Sequence, residues 1–158
     1  MKHLWAPWRI KYILMKKPRG CIFCKIAREK KDKKNYVLFR GKWNYVLLNN
    51  YPYNSGHLMV VPFKHVKNLE DLTDEELYEH FKIVRESVKN LKKVFKPEGF
   101  NIGINIGRVA GAGVENHIHT HIVPRWSGDT NYMPVIADTK VIPEALKQTY
   151  NRLKEFFS

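Results

Sequence analysis

The sequence predicts an α+β fold, an antiparallel sheet with one long central helix and a second helix at the C-terminus. Short runs of aromatic and β-branched residues between turns predict the sheet, and two amphipathic segments predict the helices. The length of 158 residues and the 44% hydrophobic content suit a single domain. Within it we separate residues 1–35, a basic arm and a loop around two cysteines, from the main part, residues 36–158.

The first half of the predicted sheet is a hairpin followed by a third strand. Two runs of aromatic and β-branched residues, separated by a Gly-Lys pair, make the hairpin. A segment rich in turn-forming residues then leads to a short apolar strand that Pro62 closes. These three strands are predicted at residues 36–40, 43–49 and 57–61.

The long helix begins at a capping box and ends at a Pro-Glu-Gly stop. The Thr73 hydroxyl can accept the amide hydrogen of Glu76 while the Glu76 carboxylate reaches back to the Thr73 amide. Apolar residues then recur at spacings of three and four. The face that we expect to be buried consists of Leu77, Phe81, Val84, Val88, Leu91 and Phe95.

Two further strands and the second helix complete the predicted fold. Residues 100–107 alternate between apolar residues and small or polar ones, and residues 116–123 form the last strand before Pro124. Pro143 opens the C-terminal helix, because proline suits a first helical position. Its buried side would consist of Ala145, Leu146, Tyr150, Leu153 and Phe157.

The charge and the cysteine content narrow the function classes. A net charge of +13 attracts polyanions, which include nucleic acid, anionic membranes and phosphorylated small molecules. No apolar run is long enough to cross a bilayer, and the N-terminal segment has no apolar signal core. Two cysteines cannot build a disulfide framework. We therefore expect a cytoplasmic protein with no membrane association.

Three histidines alternate along the last predicted strand. Because side chains alternate across a strand, His117, His119 and His121 should share one face. Three imidazoles are poor core material, since each ring must be hydrogen-bonded or metal-bound. The row suits metal binding or nucleophilic catalysis, in which a neutral imidazole attacks phosphorus. We expect His3 and His80, outside this row, to be surface residues.

Cys21 and Cys24 form a CxxC pair, which alone fits a redox motif, half of a zinc site or two packed thiols. A thioredoxin-like motif needs the pair between a strand and a helix, and the basic segment before it predicts no strand. A zinc site needs two more ligands.

The His-x-His-x-His row with the apolar pair after it resembles the signature of the histidine triad family of nucleotidyl hydrolases and transferases. The likeness runs from about Tyr36 to Phe157, and residues 124–136 look most like the branch that acts on diadenosine polyphosphates. The resemblance implies the HIT-type sheet, a catalytic domain over residues 36–158, a homodimer and no organic cofactor.

The resemblance implies three catalytic residues. His119 would attack the α-phosphorus, His121 would contact the phosphoryl group and assist the leaving group, and His57 would face the triad. A dinucleoside polyphosphate such as diadenosine tetraphosphate would then be cleaved through a nucleotidyl-His119 intermediate, with water or phosphate as the acceptor. A nucleoside phosphoramidate hydrolase of the same family is the alternative enzyme. A basic nucleic-acid-binding protein is the alternative of another class, but it explains neither the histidine row nor His57.

The resemblance also implies binding residues. Leu47 would line the base pocket, Asn49 would hold the ribose hydroxyls, and Asn105 would contact phosphate or ribose. The family's hydrolases often carry glutamine or serine beside the bridging phosphates, where this chain has Ala112 and Gly113. These small residues leave room for phosphate as the acceptor.

The family also implies how the CxxC pair is completed. A histidine after the third strand and the first histidine of the triad often supply the missing ligands, and here these are His65 and His117. With Cys21 and Cys24 they would form a closed Cys2His2 set, which binds structural rather than catalytic zinc.

Overall fold

A computed structural model describes residues 20–129 and 144–157 of the chain. Within these ranges the strands are β1 (Val37–Arg40), β2 (Asn44–Leu48), β3 (Leu58–Pro62), β4 (Gly99–Ile104) and β5 (Thr120–Arg125). They form one antiparallel sheet in the order β1-β2-β3-β5-β4. The helices are α1 (Ile22–Glu29), α2 (Asp32–Asn35), α3 (Asp74–Phe95) and α4 (Leu146–Lys154). The predicted α+β fold is confirmed.

The two faces of the sheet pack against different helices because successive side chains of a strand point to opposite sides. Along β2, Val46 and Leu48 join the core beneath α3 and α4, whereas Tyr45 and Leu47 join a smaller cluster beneath α1. In the pairing of β3 with β5, Met59 of the α1 cluster lies opposite His121. His121 therefore faces the α1 side of the sheet.

Helix α3 has the predicted capping box. The Glu76 amide donates to Thr73 Oγ1 at 3.3 Å, and the Thr73 amide donates to Glu76 Oε2 at 2.8 Å. The helix ends at Phe95, where Lys96 takes a left-handed conformation. Two amides at the N-terminus are thus satisfied by side chains, and the helix begins where the sequence predicts it.

The buried face of α3 differs from the predicted apolar stripe. Val84 and Leu91 are buried as expected, but Phe81 is 49% exposed. His80 is only 2% exposed, so the prediction that it is a surface residue is wrong. Its burial is possible because both ring nitrogens have hydrogen-bond partners on the sheet.

Several predicted boundaries also move. Cys24 lies in helix α1 instead of a loop, because Phe23 and Ile26 bury one side of that helix against the sheet. Strand β5 starts at Thr120, four residues later than predicted, and β4 ends at Ile104. Helix α4 starts at Leu146, while the predicted first helical residue, Pro143, lies outside the described residues.

Among the helices of the described ranges, none combines the length and the apolar character that crossing a lipid bilayer requires.

Candidate active site and metal centre

The three histidines of the row lie under helix α1. The ring of Phe23 is 5.4 Å from the His117 ring and 4.9 Å from the His119 ring, measured between centroids. The rings of His119 and His121 are 4.8 Å apart and nearly perpendicular. The row therefore lies on one face, as the alternation predicts, although only His121 belongs to the paired part of β5.

His119 is held in one tautomer by the backbone. Its Nδ1 lies 2.9 Å from the carbonyl oxygen of His117. A carbonyl can only accept, so Nδ1 carries the proton and Nε2 keeps its lone pair. Burial lowers the pKa of His119 and so favours the neutral ring. The hydrogen bond to the His117 carbonyl raises the pKa, but by a smaller amount. A buried neutral imidazole with a free Nε2 lone pair is a competent nucleophile.

His121 is oriented by a chain of hydrogen bonds that begins in the backbone. The Tyr53 amide donates to His57 Nδ1 at 3.1 Å, so a neutral His57 carries its proton on Nε2. That nitrogen lies 2.9 Å from His121 Nδ1 and donates to it. His121 in turn carries its proton on Nε2, as a donor that can face a phosphoryl oxygen.

A glycine brings His57 into this position. Gly56 has φ of +76°, in the left-handed region that favours glycine. A Cβ at Gly56 would also come within 3.1 Å of the Leu91 side chain of α3. The turn before β3 therefore needs glycine both for its backbone conformation and for its close approach to the helix.

A cleft lies beside His119 and His121, with about 760 Å³ of empty space that is partly open to solvent. The predicted residues Leu47, Asn49 and Gly113 line it together with the two histidines. The further lining residues are Ile22, Phe23, Ile26, Leu48, Asn50, Tyr51, Tyr53, Met59, Gly111 and Val114.

Two predicted binding residues are not among those that line the cleft. Ala112 lies next to it, and its amide donates to the carbonyl oxygen of Gly107 at 3.3 Å instead of pointing to a ligand. Asn105 follows the last residue of β4, outside the lining. Their binding roles stay predictions.

Helix α1 contributes the part of the cleft that sequence reasoning missed. Ile22, Phe23 and Ile26 form one apolar wall. The signal was present, because apolar residues at spacings of three and four follow Cys21, but the cysteine pair led to the prediction of a loop.

The four predicted metal ligands come together beside the cleft. The ligand atoms of Cys21, Cys24, His65 and His117 all lie within 4.8 Å of one another. The Nδ1 atoms of the two histidines are 3.3 Å apart, and Cys24 Sγ is 3.3 Å from His65 Nδ1. Cys21 Sγ is 3.2 Å from His117 Nδ1.

These distances fit zinc. Zn–S bonds of about 2.3 Å and Zn–N bonds of about 2.0–2.1 Å in a tetrahedron place ligand atoms about 3.3–3.8 Å apart. His117 Nε2 donates to the carbonyl oxygen of Pro62 at 2.8 Å, which leaves Nδ1 free to ligate. His117 thus donates to a backbone carbonyl through Nε2, whereas His119 does so through Nδ1. Two thiolates and two imidazoles would fill all four positions, which describes a structural site.

Known proteins similar to this chain share its fold and sequence. A family model of the HIT domain matches residues 30–128. A Mycobacterium tuberculosis protein named AP-4-A phosphorylase is 40% identical in an alignment that covers 94% of this chain and 80% of the relative.

Two solved structures superpose well on the structure of this chain. A hypothetical histidine triad nucleotide-binding protein from Sulfolobus tokodaii has a TM-score of 0.67 and 31% identity, covering 86% of this chain and 88% of that chain. A Zn-bound histidine triad family protein from Mycobacterium smegmatis has a TM-score of 0.70, covering 87% of this chain and 92% of that chain, and at 23% identity it shows the shared fold. From the domain match and the identity across nearly the whole chain, this protein belongs to the histidine triad (HIT) family.

Proposed function

We propose that this protein cleaves diadenosine tetraphosphate through a nucleotidyl-His119 intermediate and passes the nucleotidyl group to inorganic phosphate. The observation that carries the proposal is the hydrogen bond from His119 Nδ1 to the His117 carbonyl, which leaves a neutral Nε2 at the edge of the cleft. The likeness to a relative named AP-4-A phosphorylase supports the same substrate. The net charge of +13 favours an anionic ligand.

In the first step, His119 Nε2 attacks the α-phosphorus of one adenosine. The bond from that phosphorus to its bridging oxygen breaks, and ATP leaves. The imidazole gains positive charge in the adduct, and the His117 carbonyl that accepts from Nδ1 stabilises that charge. The His121 Nε2–H donates to the phosphoryl group and compensates its developing negative charge.

In the second step, an oxygen of inorganic phosphate attacks the same phosphorus. The N–P bond breaks, ADP is released, and His119 returns to its neutral form. The sum is diadenosine tetraphosphate plus phosphate giving ATP and ADP, with one proton released near neutral pH. Splitting one displacement into two is the general advantage of covalent catalysis.

The cleft offers separate surfaces for the parts of the nucleotide. The wall of Phe23, Ile26 and Leu47 is apolar and would hold the base. Asn49 would bind the ribose, and its Oδ1 already accepts the Tyr51 amide at 2.8 Å, which fixes the orientation of the side-chain amide. Its Nδ2 lies 3.5 Å from both ring nitrogens of His57, beside the histidines of the site.

Product analysis tests the acceptor. With diadenosine tetraphosphate as substrate, we expect added phosphate to accelerate cleavage and to give ADP and ATP, measured by chromatography. Equal rates with and without phosphate, with AMP among the products, would instead mean hydrolysis. Failure to cleave any dinucleotide, with turnover of adenosine phosphoramidate, would favour the alternative enzyme. Salt-sensitive binding of nucleic acid that is indifferent to His119→Ala would favour the binding protein.

Two neighbouring substitutions sharpen this test. Gly113→Gln places a side chain in the cleft and should shift the balance towards hydrolysis, because it occupies the space for phosphate. Ala112→Gln is the comparison, since Ala112 lies next to the cleft without lining it, and its effect on the product ratio should be the smaller of the two. An equal shift in both variants would argue against Gly113 as part of the acceptor site.

We also propose that the protein is a homodimer joined through β4. This strand is at the edge of the sheet, carries no charged residue, and exposes 47% of Ile102. Ile106 beyond its end is 41% exposed. An uncharged apolar edge strand is poorly protected against pairing with another strand, and a second copy would satisfy its free backbone groups.

Light scattering after size exclusion tests the dimer. The wild type should have the mass of two chains, and Ile102→Asp should have the mass of one, because a charge at the paired edge opposes association. Tyr78→Asp is the control, since Tyr78 is 73% exposed on α3 and lies near Trp43, at the β1–β2 end of the sheet. A monomeric wild type, or a dimer that Ile102→Asp leaves intact, would contradict the proposal.

The remaining parts of the proposal concern the metal and the compartment. The Cys2His2 set would hold zinc as a structural ion that joins α1 to the segment before β5. Both cysteines are free thiols, as zinc ligation requires, and the cytoplasm keeps thiols reduced. We therefore propose the cytoplasm as its compartment.

A further inference from the structure

A chain of buried polar side chains runs beneath the sheet, on the face opposite the catalytic histidines. It consists of Thr120 at the start of β5, His80 of α3 and Asn44 at the start of β2, each at most 2% exposed. His80 Nε2 is 2.6 Å from Thr120 Oγ1, and His80 Nδ1 is 2.7 Å from Asn44 Oδ1. Burying a polar group costs free energy unless the group is hydrogen-bonded, and in this chain each of the three side chains has hydrogen-bond partners.

Every hydrogen bond of this chain has a fixed direction. Asn44 Nδ2 donates to the Glu76 carbonyl at 3.1 Å and to Glu79 Oε2 at 3.0 Å, so Asn44 Oδ1 must be an acceptor. His80 Nδ1 therefore carries the proton, and its Nε2 accepts from the Thr120 hydroxyl. Burial lowers the pKa of His80 to about 4, which keeps the ring neutral near pH 7.

The far end of the chain is anchored in the β1–β2 turn. Glu79 Oε1 accepts the Lys42 amide and Glu79 Oε2 accepts the Trp43 amide, each at 2.7 Å. A carboxylate that accepts two backbone amides and the Asn44 amide is firmly held. Asn44 and His80 are thus attached to both the hairpin and helix α3.

The near end of the chain meets the backbone beside the nucleophile. Strand pairing on both sides of β5 begins at Thr120, which lies opposite Val60 of β3 and Ile104 of β4. His119 precedes the first paired residue. Upstream of it, the Ile118 amide donates to the Val66 carbonyl at 2.7 Å. The His119 backbone therefore lies between two anchors, the Ile118–Val66 hydrogen bond on one side and Thr120 on the other.

We propose that His80 is a positioning residue for the reaction, which holds Thr120 from the opposite face of the sheet and so fixes the placement of His119 and His121 on either side of it. The inference rests on the proposed function. The side chain of Thr120 points away from the cleft, because Val60, its partner across β3, belongs to the core under α3. His80 and Thr120 act on substrate only through the strand. A nucleophile displaced by even about 1 Å can cost on the order of 100-fold in rate.

Thr120→Val tests this inference because it keeps the shape of the side chain and removes the hydroxyl that donates to His80 Nε2. We expect kcat for diadenosine tetraphosphate to fall roughly tenfold or more with KM nearly unchanged. Thr120→Ser, which retains the hydroxyl, should recover most of kcat. Tyr150→Phe is the matched control, because it also deletes one buried hydroxyl, which donates to the Val37 carbonyl of β1 at 3.3 Å. It should lower the melting temperature to a similar extent and leave kcat unchanged.

Nitrogen-15 spectra of the histidine rings provide a readout that stability alone would not move. The resonances of His80, assigned by their loss in His80→Gln, should show the tautomer protonated on Nδ1. A tautomer protonated on Nε2, an unchanged kcat in Thr120→Val, or an equal loss of kcat in Tyr150→Phe would overturn the inference while the proposed function stands. If the wild type turns over no dinucleotide, the proposed function fails, and this inference fails with it.

Discussion

Replacing His119 by asparagine is expected to lower turnover of diadenosine tetraphosphate by roughly 10³-fold or more, because the covalent route disappears with Nε2. Asparagine is the informative choice, since its amide can still donate to the His117 carbonyl that now accepts from Nδ1. The local backbone contact would be retained while the nucleophile is lost. Steady-state rates, measured with a coupled assay for ATP, determine the loss.

Two further measurements separate a missing nucleophile from a damaged site. Calorimetry should show that the variant still binds nucleotide, because the apolar wall of the cleft is unchanged. Acid-sensitive label from radioactive diadenosine tetraphosphate should be trapped on the wild type during turnover and be absent from the variant. If the variant retains more than a few per cent of the wild-type rate, His119 is not the nucleophile.

Removing the metal ligands is expected to cause the largest loss of stability. Purified protein should carry about one zinc ion per chain, and the double replacement Cys21→Ser and Cys24→Ser should abolish it. A ligand that binds only the folded state at about 1,000 times its Kd stabilises by about 4 kcal/mol. For a domain of this size that corresponds to a fall in Tm of about 10 °C. Metal analysis and thermal denaturation measure the two effects.

A neighbouring residue gives the control for this experiment. Lys25 follows Cys24 on α1 and its side chain is 62% exposed, so Lys25→Ser should change neither zinc content nor Tm appreciably. Chelation of the wild type should reproduce the behaviour of the cysteine variant, and added zinc should reverse it. Absence of zinc from carefully prepared wild-type protein would refute the metal site.

The fold was largely readable from the sequence because local signals agree with the tertiary structure. The capping box at Thr73 and Glu76 satisfies backbone amides locally, so it works wherever the helix packs. The three early strands are runs of mostly apolar residues, and segments rich in turn-forming residues separate them. The start of β5 was not readable, because it depends on where β3 and β4 provide partners and not on the residues of β5 alone.

The site was predictable as a set of residues but not as a set of protonation states. Spacing and resemblance together predicted the four metal ligands and the two histidines beside the cleft, His119 and His121. Which nitrogen of His117 or His119 carries the proton depends on the carbonyl that each ring meets, Pro62 for one and His117 itself for the other. His80 was misjudged for a similar reason. Its partners lie on β2 and β5, 36 residues before it and 40 residues after it in the sequence. No local sequence pattern reveals contacts at such separations.

The contact between Cys21 and His117 joins residues that are 96 positions apart in the sequence. Closing a loop of that length costs roughly 4 kcal/mol of chain entropy by the usual logarithmic scaling. The carbonyl of this same His117 orients the ring of His119, the proposed nucleophile, and the helix that begins beside Cys21 forms a wall of the cleft. No short stretch of the polypeptide can therefore assemble the catalytic apparatus by itself. Its assembly requires contacts between residues that are far apart in the sequence.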